Sequence, residues 1–311
     1  MKKINIVVFI LVCLFSSCRK DKLCKICHDL PSSPSATGWE YALPMETNLA
    51  PYFNPNNSNE MIYRRINRDA NHNYLLQELW KVNLSTKEHN LLVEGVRYRP
   101  KWGKTNWLLF NRTDNQVWKM NSNGDSLTLL TDNANQYTHP EWNPDNTAFL
   151  CWTFDNKALL ISNYGTIVDT LTIPFYKGAW SADKHHVAAV VYAGGVDVNN
   201  LDTGEVIRFQ SEFDIFKGNG RGMSWTPDGK YLIWTASEGV FKSDMETFST
   251  IMIKKSCESL GYFSPSVSAD YEIIFGRRTN SVDEDKNEYY SESQFVITDI
   301  NGENEREVVL E

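Results

Sequence analysis

The sequence predicts an all-β protein, specifically a six-bladed β-propeller made of four-stranded antiparallel blades. Three observations carry this prediction. A unit of 38 to 49 residues recurs six times along the chain, each copy divides into short apolar runs separated by turn residues, and aromatic residues reach 13% with ten Trp. Short strands recurring at a period of about 40–45 residues are typical of propellers, in which the units close radially and leave few sheet edges exposed.

The clearest copies of the unit are Pro140-Glu141-Trp142-Asn143-Pro144-Asp145 and Ser224-Trp225-Thr226-Pro227-Asp228-Gly229-Lys230, each followed by an apolar run. The aligned aromatic or apolar position falls at Phe53, Trp102, Trp142, Trp180, Trp225 and Val267. After the apolar run, each unit has a further strand ending in Asn or Asp, often a turn containing Gly, and a last strand. Four strands per unit are therefore expected.

The Pro-Asp-Gly-Lys stretch at residues 227–230 predicts a tight turn between the first two strands of a blade. Pro presets φ, Asp caps the turn with its carboxylate, and Gly supplies the positive φ. The Trp that precedes the turn is expected to pack between neighbouring blades, where its burial removes a large apolar surface from water.

This repeat resembles the TolB-like, WD-like β-propeller repeat over about residues 45–311. The resemblance implies a scaffold of the cell envelope, in which the propeller docks other envelope lipoproteins. The chain lacks an obvious second domain of the kind that accompanies the propeller in TolB. Residues 39–43 are expected either to add a strand to the last blade or to begin a seventh blade.

The first residues predict an export signal. Lys2 and Lys3 precede ten apolar residues, Ile6–Phe15, a run shorter than the roughly 20 residues that span a bilayer. The following Ser16-Ser17-Cys18 resembles the lipobox of bacterial lipoproteins, which implies a lipid on Cys18. An ordinary signal peptide beside an unrelated Cys, and an uncleaved anchor, are the alternatives.

The domain organisation predicted from these features has three parts: a lipoprotein signal peptide at 1–17, a polar flexible tether at 18–38 and the propeller at 39–311. The protein is expected in the cell envelope as a monomer, lipid-anchored to the outer membrane in preference to the inner one, and facing the periplasm or the cell surface. A net charge of −8 argues against non-specific nucleic-acid binding, which requires a basic surface.

One short motif in the tether points to a different chemistry. Cys24-Lys25-Ile26-Cys27-His28 resembles the attachment site of c-type haem, with two thioethers to the porphyrin and His28 as iron ligand. Its neighbours are charged, whereas haem needs an apolar pocket, and the tether offers no distal Met or His. A local disulfide or two free thiols are the alternatives, and neither a resident cofactor nor a metal site is expected.

The propeller geometry predicts a ligand-binding mouth where loops converge on the central channel. Loops entering the innermost strands, together with hairpins between the second and third strands, place aromatic and basic residues there: Tyr98, Arg99, Arg112, Phe154, Tyr137, His139, Tyr176, Lys177, Arg221, Arg277 and Arg278. Guanidinium and ammonium groups beside aromatic rings suit an anionic group, an acidic peptide end or a sugar. Unrelated solvated loop residues are the alternative interpretation.

The function expected from these features is a non-enzymatic, envelope-anchored platform that binds a protein, peptide or glycan. The sequence contains no His-Glu-x-x-His, no Gly-x-Ser-x-Gly and no phosphate-binding loop. Two alternatives stay open at this point: an electron-transfer lipoprotein carrying haem on Cys24 and Cys27, and a propeller lyase or hydrolase acting on a polysaccharide.

Overall fold

A computed structural model describes residues 40–42, 46–69, 73–132, 135–155, 157–171, 177–190, 195–209, 222–236, 238–256, 260–283 and 288–310. Side chains are described over these ranges except at 40–42 and 280–292. Within them the chain folds into strands alone, and no helix in this part of the chain is long and apolar enough to cross a membrane.

The strands form six antiparallel sheets, which are the six blades predicted from the repeat. Blade 1 contains β2 (Glu46–Asn54), β3 (Asn57–Arg68), β4 (Tyr74–Asn83) and β5 (His89–Glu94). Blade 2 contains β6 (Val96–Trp102), β7 (Trp107–Arg112), β8 (Val117–Asn121) and β9 (Thr128–Leu129). Blade 3 contains β10 (Tyr137–Trp142), β11 (Ala148–Thr153), β12 (Ala158–Ser162) and β13 (Ile167–Leu171).

The second half of the ring repeats this order. Blade 4 contains β14 (Gly178–Trp180), β15 (His186–Val190), β16 (Val196–Asn200) and β17 (Val206–Phe209). Blade 5 contains β18 (Met223–Trp225), β19 (Tyr231–Ala236), β20 (Gly239–Asp244) and β21 (Thr250–Lys255). Blade 6 contains β22 (Leu260–Val267), β23 (Ile273–Asp283), β24 (Glu288–Thr298) and β25 (Arg306–Val308). In each blade, neighbours along the chain are neighbours in the sheet.

A short N-terminal strand, β1 (Glu40–Ala42), joins the last blade. It runs parallel to β24, with Glu40 paired to Glu288 and Ala42 paired to Tyr290. The prediction that residues 39–43 add a strand to the last blade is therefore confirmed, and the alternative of a seventh blade is not.

Aspartate turns between the first and second strands explain why the repeat is readable in sequence. In blade 5, the Asp228 carboxylate accepts hydrogen bonds from the Thr226 hydroxyl (2.6 Å) and the Lys230 amide (3.1 Å), while Gly229 has φ of 72°. In blade 3, the Asp145 carboxylate accepts from the Thr147 amide (3.2 Å). The side chain satisfies turn amides that no strand partner can reach.

The two clearest copies of the repeat place their Trp side chains between blades. Trp225 of blade 5 donates its indole N–H to the Ala179 carbonyl of blade 4 (2.9 Å), and Trp142 of blade 3 donates to the Trp107 carbonyl of blade 2 (3.2 Å). Both rings are nearly buried, at 8% and 7% exposed. Blades 3 and 5 are thus each joined to the preceding blade by a buried ring and a hydrogen bond, and the packing of these two rings is as the sequence predicts.

Candidate ligand-binding site

A cavity of about 320 Å³ occupies one mouth of the central channel, on the face where the hairpins between second and third strands lie. Its wall carries the basic side chains of Arg64, Arg68, Arg99, Lys101, Lys177 and Arg278 together with His139, and none of its described lining residues is Asp or Glu. We call this cavity and its wall the cationic mouth. Tyr74, Tyr98 and Phe263 add aromatic rings to it.

Where the innermost strands border the cationic mouth, the same backbone irregularity recurs from blade to blade. Left-handed backbone occurs at Ala50, Tyr98, His139, Lys177 and Ser264, with φ between 51° and 67°, and all five residues line the cavity. In four of the five blades the strand register shifts at this point, which is a β-bulge. Non-glycine residues adopt this conformation at a cost, and such strain clusters at functional sites.

Arg99 spans the channel and fixes one side of the cationic mouth. Its guanidinium donates to the carbonyl oxygens of Met223 (3.3 Å), Ser264 (3.4 Å) and Pro265, in blades 5 and 6, although Arg99 itself lies on β6 of blade 2. Its side chain packs over the Tyr52 ring, 5.4 Å from the centroid. Burial lowers the pKa of Arg99, while the neighbouring Tyr52 and Glu141 partly oppose that shift.

Gly222 of blade 5 makes room for this crossing guanidinium. A Cβ at position 222 would lie 3.0 Å from Arg99 Nη1 and 2.9 Å from the Ser264 Cα. Both distances are tighter than ordinary carbon contacts, so a side chain here would displace Arg99 or the neighbouring strand. The channel geometry therefore requires glycine at this position.

Arg64 and Arg68 enter the cationic mouth from β3. They lie four residues apart with Ile66 between them, and all three line the cavity because every second residue of a strand faces the same side. Burial lowers the pKa of Arg64 to about 10, which leaves the guanidinium charged at neutral pH. Its Nη1 donates to the Tyr98 carbonyl (3.2 Å), and its buried Nε has no hydrogen-bond partner within the described protein.

His139 is the weakest base of the group. Burial lowers its pKa well below the usual value, and the nearby charges of Lys177, Lys101, Arg64 and Arg99 lower it further. Its ring lies 4.7 Å from that of Tyr98, centroid to centroid. At neutral pH the imidazole is uncharged, so it offers a polar, aromatic surface rather than another cation.

Below the cationic mouth, the channel contains a buried ion pair between Lys101 and Glu141. The two side chains are only 7% and 8% exposed, and burial lowers the pKa of Lys101 to about 8 despite its carboxylate partner. Lys101 also borders a second cavity, of about 150 Å³, at the opposite mouth, where Trp102, Trp142 and Trp225 line the wall. The pair thus separates a basic mouth from an aromatic one.

Five residues predicted for the mouth from sequence lie together there. Tyr98, Arg99, His139 and Lys177 all line the same cavity, and Arg278, from the second-to-third-strand hairpin of blade 6, joins them. They come from blades 2, 3, 4 and 6, so the ring closure brings together residues far apart in the chain. Whether they bind a ligand stays a prediction.

Four other predicted residues, Tyr137, Arg112, Arg277 and Phe154, lie outside the cavity, which corrects their expected position. Tyr137 is fully buried in the core of blade 3, because the bulge that follows Thr138 reverses the facing of the strand. Arg112 packs over the Trp118 ring, 5.0 Å from its centroid. Arg277 makes ion pairs with Glu305 (2.7 Å) and Glu307, on the outer side of blade 6.

Several predictions fall on residues that lie outside the described ranges. These are the lipidation site Cys18, the haem-type residues Cys24, Cys27 and His28, and the mouth residues Tyr176 and Arg221. Phe154, also expected near the mouth, is 57% exposed beside β11 and does not line the cavity. Cys151 is fully buried in blade 3, and burial raises the pKa of its thiol.

Sequence reasoning missed Arg64, Arg68 and Lys101. Their signal was present: Arg64 and Arg68 share one face of a strand, and Lys101 shares a face with Arg99. The prediction did not use this alternation of side chains because it considered loops, whereas these three residues lie within strands β3 and β6.

Comparison with known proteins gives a likeness in structure only. No family profile and no curated protein sequence matches the chain. Solved structures do: a protein described as TolB from Agrobacterium tumefaciens superposes with a TM-score of 0.56 at 16% identity, covering 73% of this chain and 86% of that one. TolB from Acinetobacter baumannii gives a TM-score of 0.53 at 16% identity, covering 66% of this chain and 53% of that one.

The present chain thus spans about half the length of the Acinetobacter baumannii protein. At 16% identity these matches establish architecture and leave ligands and partners open. The resemblance of the repeat, the six four-stranded blades and the two superpositions agree, and the chain has the TolB-like β-propeller fold.

Proposed function

We propose that this chain is a non-enzymatic binding protein of the bacterial cell envelope, anchored by a lipid on Cys18, whose cationic mouth binds an acidic segment of a partner protein. One observation carries the proposal: an acidic protein, with a net charge of −8, concentrates six Lys or Arg side chains around one cavity whose described lining includes no carboxylate. The TolB-like fold supports a protein-binding scaffold and an envelope location.

The donor chemistry favours carboxylates. Guanidinium groups form paired hydrogen bonds to a carboxylate, and such bonds gain strength where water is partly excluded. The buried Nε atoms of Arg64, Arg99 and Arg278 have no hydrogen-bond partner among the described residues. An Asp or Glu side chain, or a C-terminal carboxylate, that enters the cavity would accept hydrogen bonds from the guanidinium and ammonium groups of its wall.

The cavity size limits the form of the ligand. About 320 Å³ accommodates a few side chains or a chain end but not a folded domain. The partner therefore presents an extended segment or a terminus to the cationic mouth. Tyr74 and Tyr98 would contact its apolar parts, and the same rings favour an acidic glycan as the second candidate ligand.

The proposal is tested by titrating the full-length, detergent-solubilised protein with a hexaglutamate peptide. We expect binding that weakens steeply with salt and that falls about tenfold or more in Arg64→Gln/Lys177→Gln, because each removed charge contributes at short range in a partly desolvated site. Arg306→Gln is the matched control, since Arg306 pairs with Glu272 outside this cavity. Equal losses in the control and the double variant would contradict the proposal.

The natural partner is sought by mild crosslinking in intact cells, followed by purification of the lipidated protein. An acidic envelope protein recovered with the wild type and lost in Arg64→Gln/Lys177→Gln supports the proposed function. Recovery of an acidic glycan in its place supports the second candidate.

A further inference from the structure

The cationic mouth ends in a floor of side chains that fill the central channel. Arg99 crosses from blade 2 to the carbonyl oxygens of Met223 in blade 5 (3.3 Å) and Ser264 in blade 6 (3.4 Å). Two residues further along β6, the Lys101–Glu141 ion pair joins blade 2 to blade 3. Arg99, Lys101 and Glu141 are each at most 9% exposed. A chain that enters the cationic mouth therefore meets a closed floor.

This floor and the small volume of the cavity restrict how a polypeptide can enter. A segment from the middle of a chain would have to reverse direction inside the cavity. A reversal takes the roughly four residues of a turn, with two arms lying side by side about 4.8 Å apart. The cavity of about 320 Å³ holds only a few side chains or a chain end. It therefore favours a terminus over an internal segment.

The chemistry of the wall distinguishes a carboxyl terminus from an amino terminus. Lys and Arg side chains repel an α-ammonium group, and no Asp or Glu stands among the described lining residues to attract it. Backbone carbonyls that would accept hydrogen bonds from an ammonium group are already engaged: Tyr98 accepts from Arg64, and Met223 accepts from Arg99. A carboxylate meets donors of the opposite charge instead.

Two guanidinium groups of the wall have donors left for such a carboxylate. Arg64 uses Nη1 for the Tyr98 carbonyl, and its Nη2 makes no hydrogen bond to a described residue. Arg278 packs over the Phe263 ring, 5.7 Å from the centroid, and its terminal nitrogens have no hydrogen-bond partner within the described ranges. These two arginines lie on β3 and β23, in the blades that meet where the ring closes.

We propose that the cationic mouth recognises a free C-terminal carboxylate, held by the guanidinium groups of Arg64 and Arg278, at the end of an acidic partner segment. The inference rests on the proposed function and narrows its ligand from any acidic segment to a chain terminus. A guanidinium binds a carboxylate through two parallel hydrogen bonds, which gives the site geometric specificity as well as charge. Arg68, four residues further along β3, would meet the acidic side chains that precede the terminus.

The test titrates three peptides into the full-length, detergent-solubilised protein: hexaglutamate with a free C-terminus, hexaglutamate amide, and a free-acid peptide in which Gln replaces the third Glu. The amide and the Gln peptide each carry one negative charge fewer than hexaglutamate, so they differ only in which carboxylate is missing. We expect the amide to bind about tenfold or more weakly than hexaglutamate, and the Gln peptide at most about threefold more weakly.

Arg278→Gln tests which group binds the terminus. Loss of this guanidinium is expected to reduce the difference between hexaglutamate and its amide to about threefold or less, because the two partners of one interaction are then both removed. Arg306→Gln is the matched control, since Arg306 pairs with Glu272 outside the cavity. In that control the tenfold difference is expected to remain.

Equal weakening by amidation and by the Gln replacement would overturn the inference, because the mouth would then respond to net charge alone, and the proposed function would still stand. An amidation effect that persists in full in Arg278→Gln would contradict the assigned carboxylate contact. Absence of binding by all three peptides would overturn the proposed function and this inference together. The two failures therefore give different results in one experiment.

Discussion

At the scale of the residue, left-handed backbone occurs in the channel at positions that carry basic or polar aromatic side chains. Tyr98 and His139, inside strands, and Lys177, just before β14, have left-handed backbone and line the same cavity. Left-handed backbone costs an L-residue roughly 1–2 kcal/mol relative to its relaxed conformation. Since glycine would avoid this cost, the side chains are retained for something other than stability, and ligand contact is the role that the proposed function gives them.

This reasoning makes a prediction for Lys177→Gly. Relief of left-handed strain offsets the greater backbone entropy of unfolded glycine, so we expect the free energy of unfolding to stay unchanged or rise by about 1 kcal/mol. Binding of hexaglutamate is expected to weaken in the same variant. Urea denaturation and peptide titration measure the two effects.

Ala179→Gly is the matched control for that variant, because Ala179 lies two residues further along the chain, within β14, without positive φ, and is 2% exposed. In Ala179→Gly, glycine increases the backbone entropy of the unfolded chain and removes a buried methyl group, and no strain is relieved. We therefore expect the free energy of unfolding to fall by about 1–2 kcal/mol. A Lys177→Gly variant as destabilised as this control would contradict the strain argument.

The Lys101–Glu141 pair gives a pH-dependent prediction. The pKa of Lys101 falls to about 8 in the folded protein, against about 10.4 in an unfolded chain. Between these values the unfolded state binds the proton that the folded state releases, so stability rises with pH by at most about 1.4 kcal/mol per unit. Tyr52, with a pKa raised by burial, reverses this trend only above about pH 10.

The measurement is urea denaturation at intervals from pH 8 to 10, with Lys101→Met/Glu141→Gln as control because that variant removes both charges of the pair. The wild type is expected to gain stability relative to the variant as pH rises through this window. Parallel curves for the two proteins would show that Lys101 titrates normally.

At the scale of the element, blades 3 and 5 each insert a Trp ring against the preceding blade. Trp225 packs with Trp234 and Ala179 in a buried cluster shared by blades 4 and 5, and its indole N–H is hydrogen-bonded across the seam. Trp180 differs: it is only partly buried, and its indole N–H donates to the Lys184 carbonyl within its own turn (3.0 Å). Trp225 therefore stabilises the contact between two blades, whereas the hydrogen bond of Trp180 stabilises only its own turn.

We accordingly expect Trp225→Ala and Trp142→Ala each to lower the free energy of unfolding by about 3–5 kcal/mol, through the cavity and the unpaired carbonyl that they leave. Trp180→Ala is the matched comparison and should cost less than half as much. Thermal and urea denaturation measure all three, and wild-type-like melting of Trp225→Ala would refute the assigned packing between blades.

At the scale of the whole molecule, the ring is closed by contacts between blade 1, formed by β2 to β5 near the N-terminus, and blade 6, formed by β22 to β25 near the C-terminus. The Ser266 hydroxyl accepts a hydrogen bond from the Phe53 amide (3.1 Å) across this seam. An equivalent bond joins blades 5 and 6, where the Ser224 hydroxyl accepts from the Val267 amide (3.1 Å). The seam that closes the ring therefore has the same kind of hydrogen bond as the seam between blades 5 and 6.

This likeness predicts that Ser266→Ala and Ser224→Ala have similar effects, each lowering stability by about 1–2 kcal/mol because a buried amide loses its acceptor. We also expect unfolding to remain a single cooperative transition in both variants, followed by tryptophan fluorescence and circular dichroism. Early, separate loss of structure in Ser266→Ala alone would show that the closing seam is the weak point.

Much of the fold could be predicted because its determinants are local and repeated. The turn residues around Asp145 and Asp228, the Trp before each turn and the apolar strand after it act within a few residues, and six copies reinforce one another. The burial of Cys151 follows from its place in such a strand. The added N-terminal strand was predictable only as one of two alternatives, since its partner lies some 250 residues away.

The composition of the cationic mouth was decided by the tertiary structure. Arg64, Arg99, His139, Lys177 and Arg278 come from five blades, and only ring closure brings them to one cavity. The bulges in the innermost strands matter as much: alternation alone places Tyr137 and His139 on the same face, yet Tyr137 is in the blade core and His139 is at the cavity wall.

The sequence by itself therefore determined the all-β class, the six repeated units and the packing of Trp142 and Trp225 between blades, because periodic hydrophobicity and turn chemistry are local properties. It left the choice between an added strand and a seventh blade open. Only the tertiary structure decided which charges share the channel, because bulges change the facing of a strand and residues distant in the chain meet only when the ring closes.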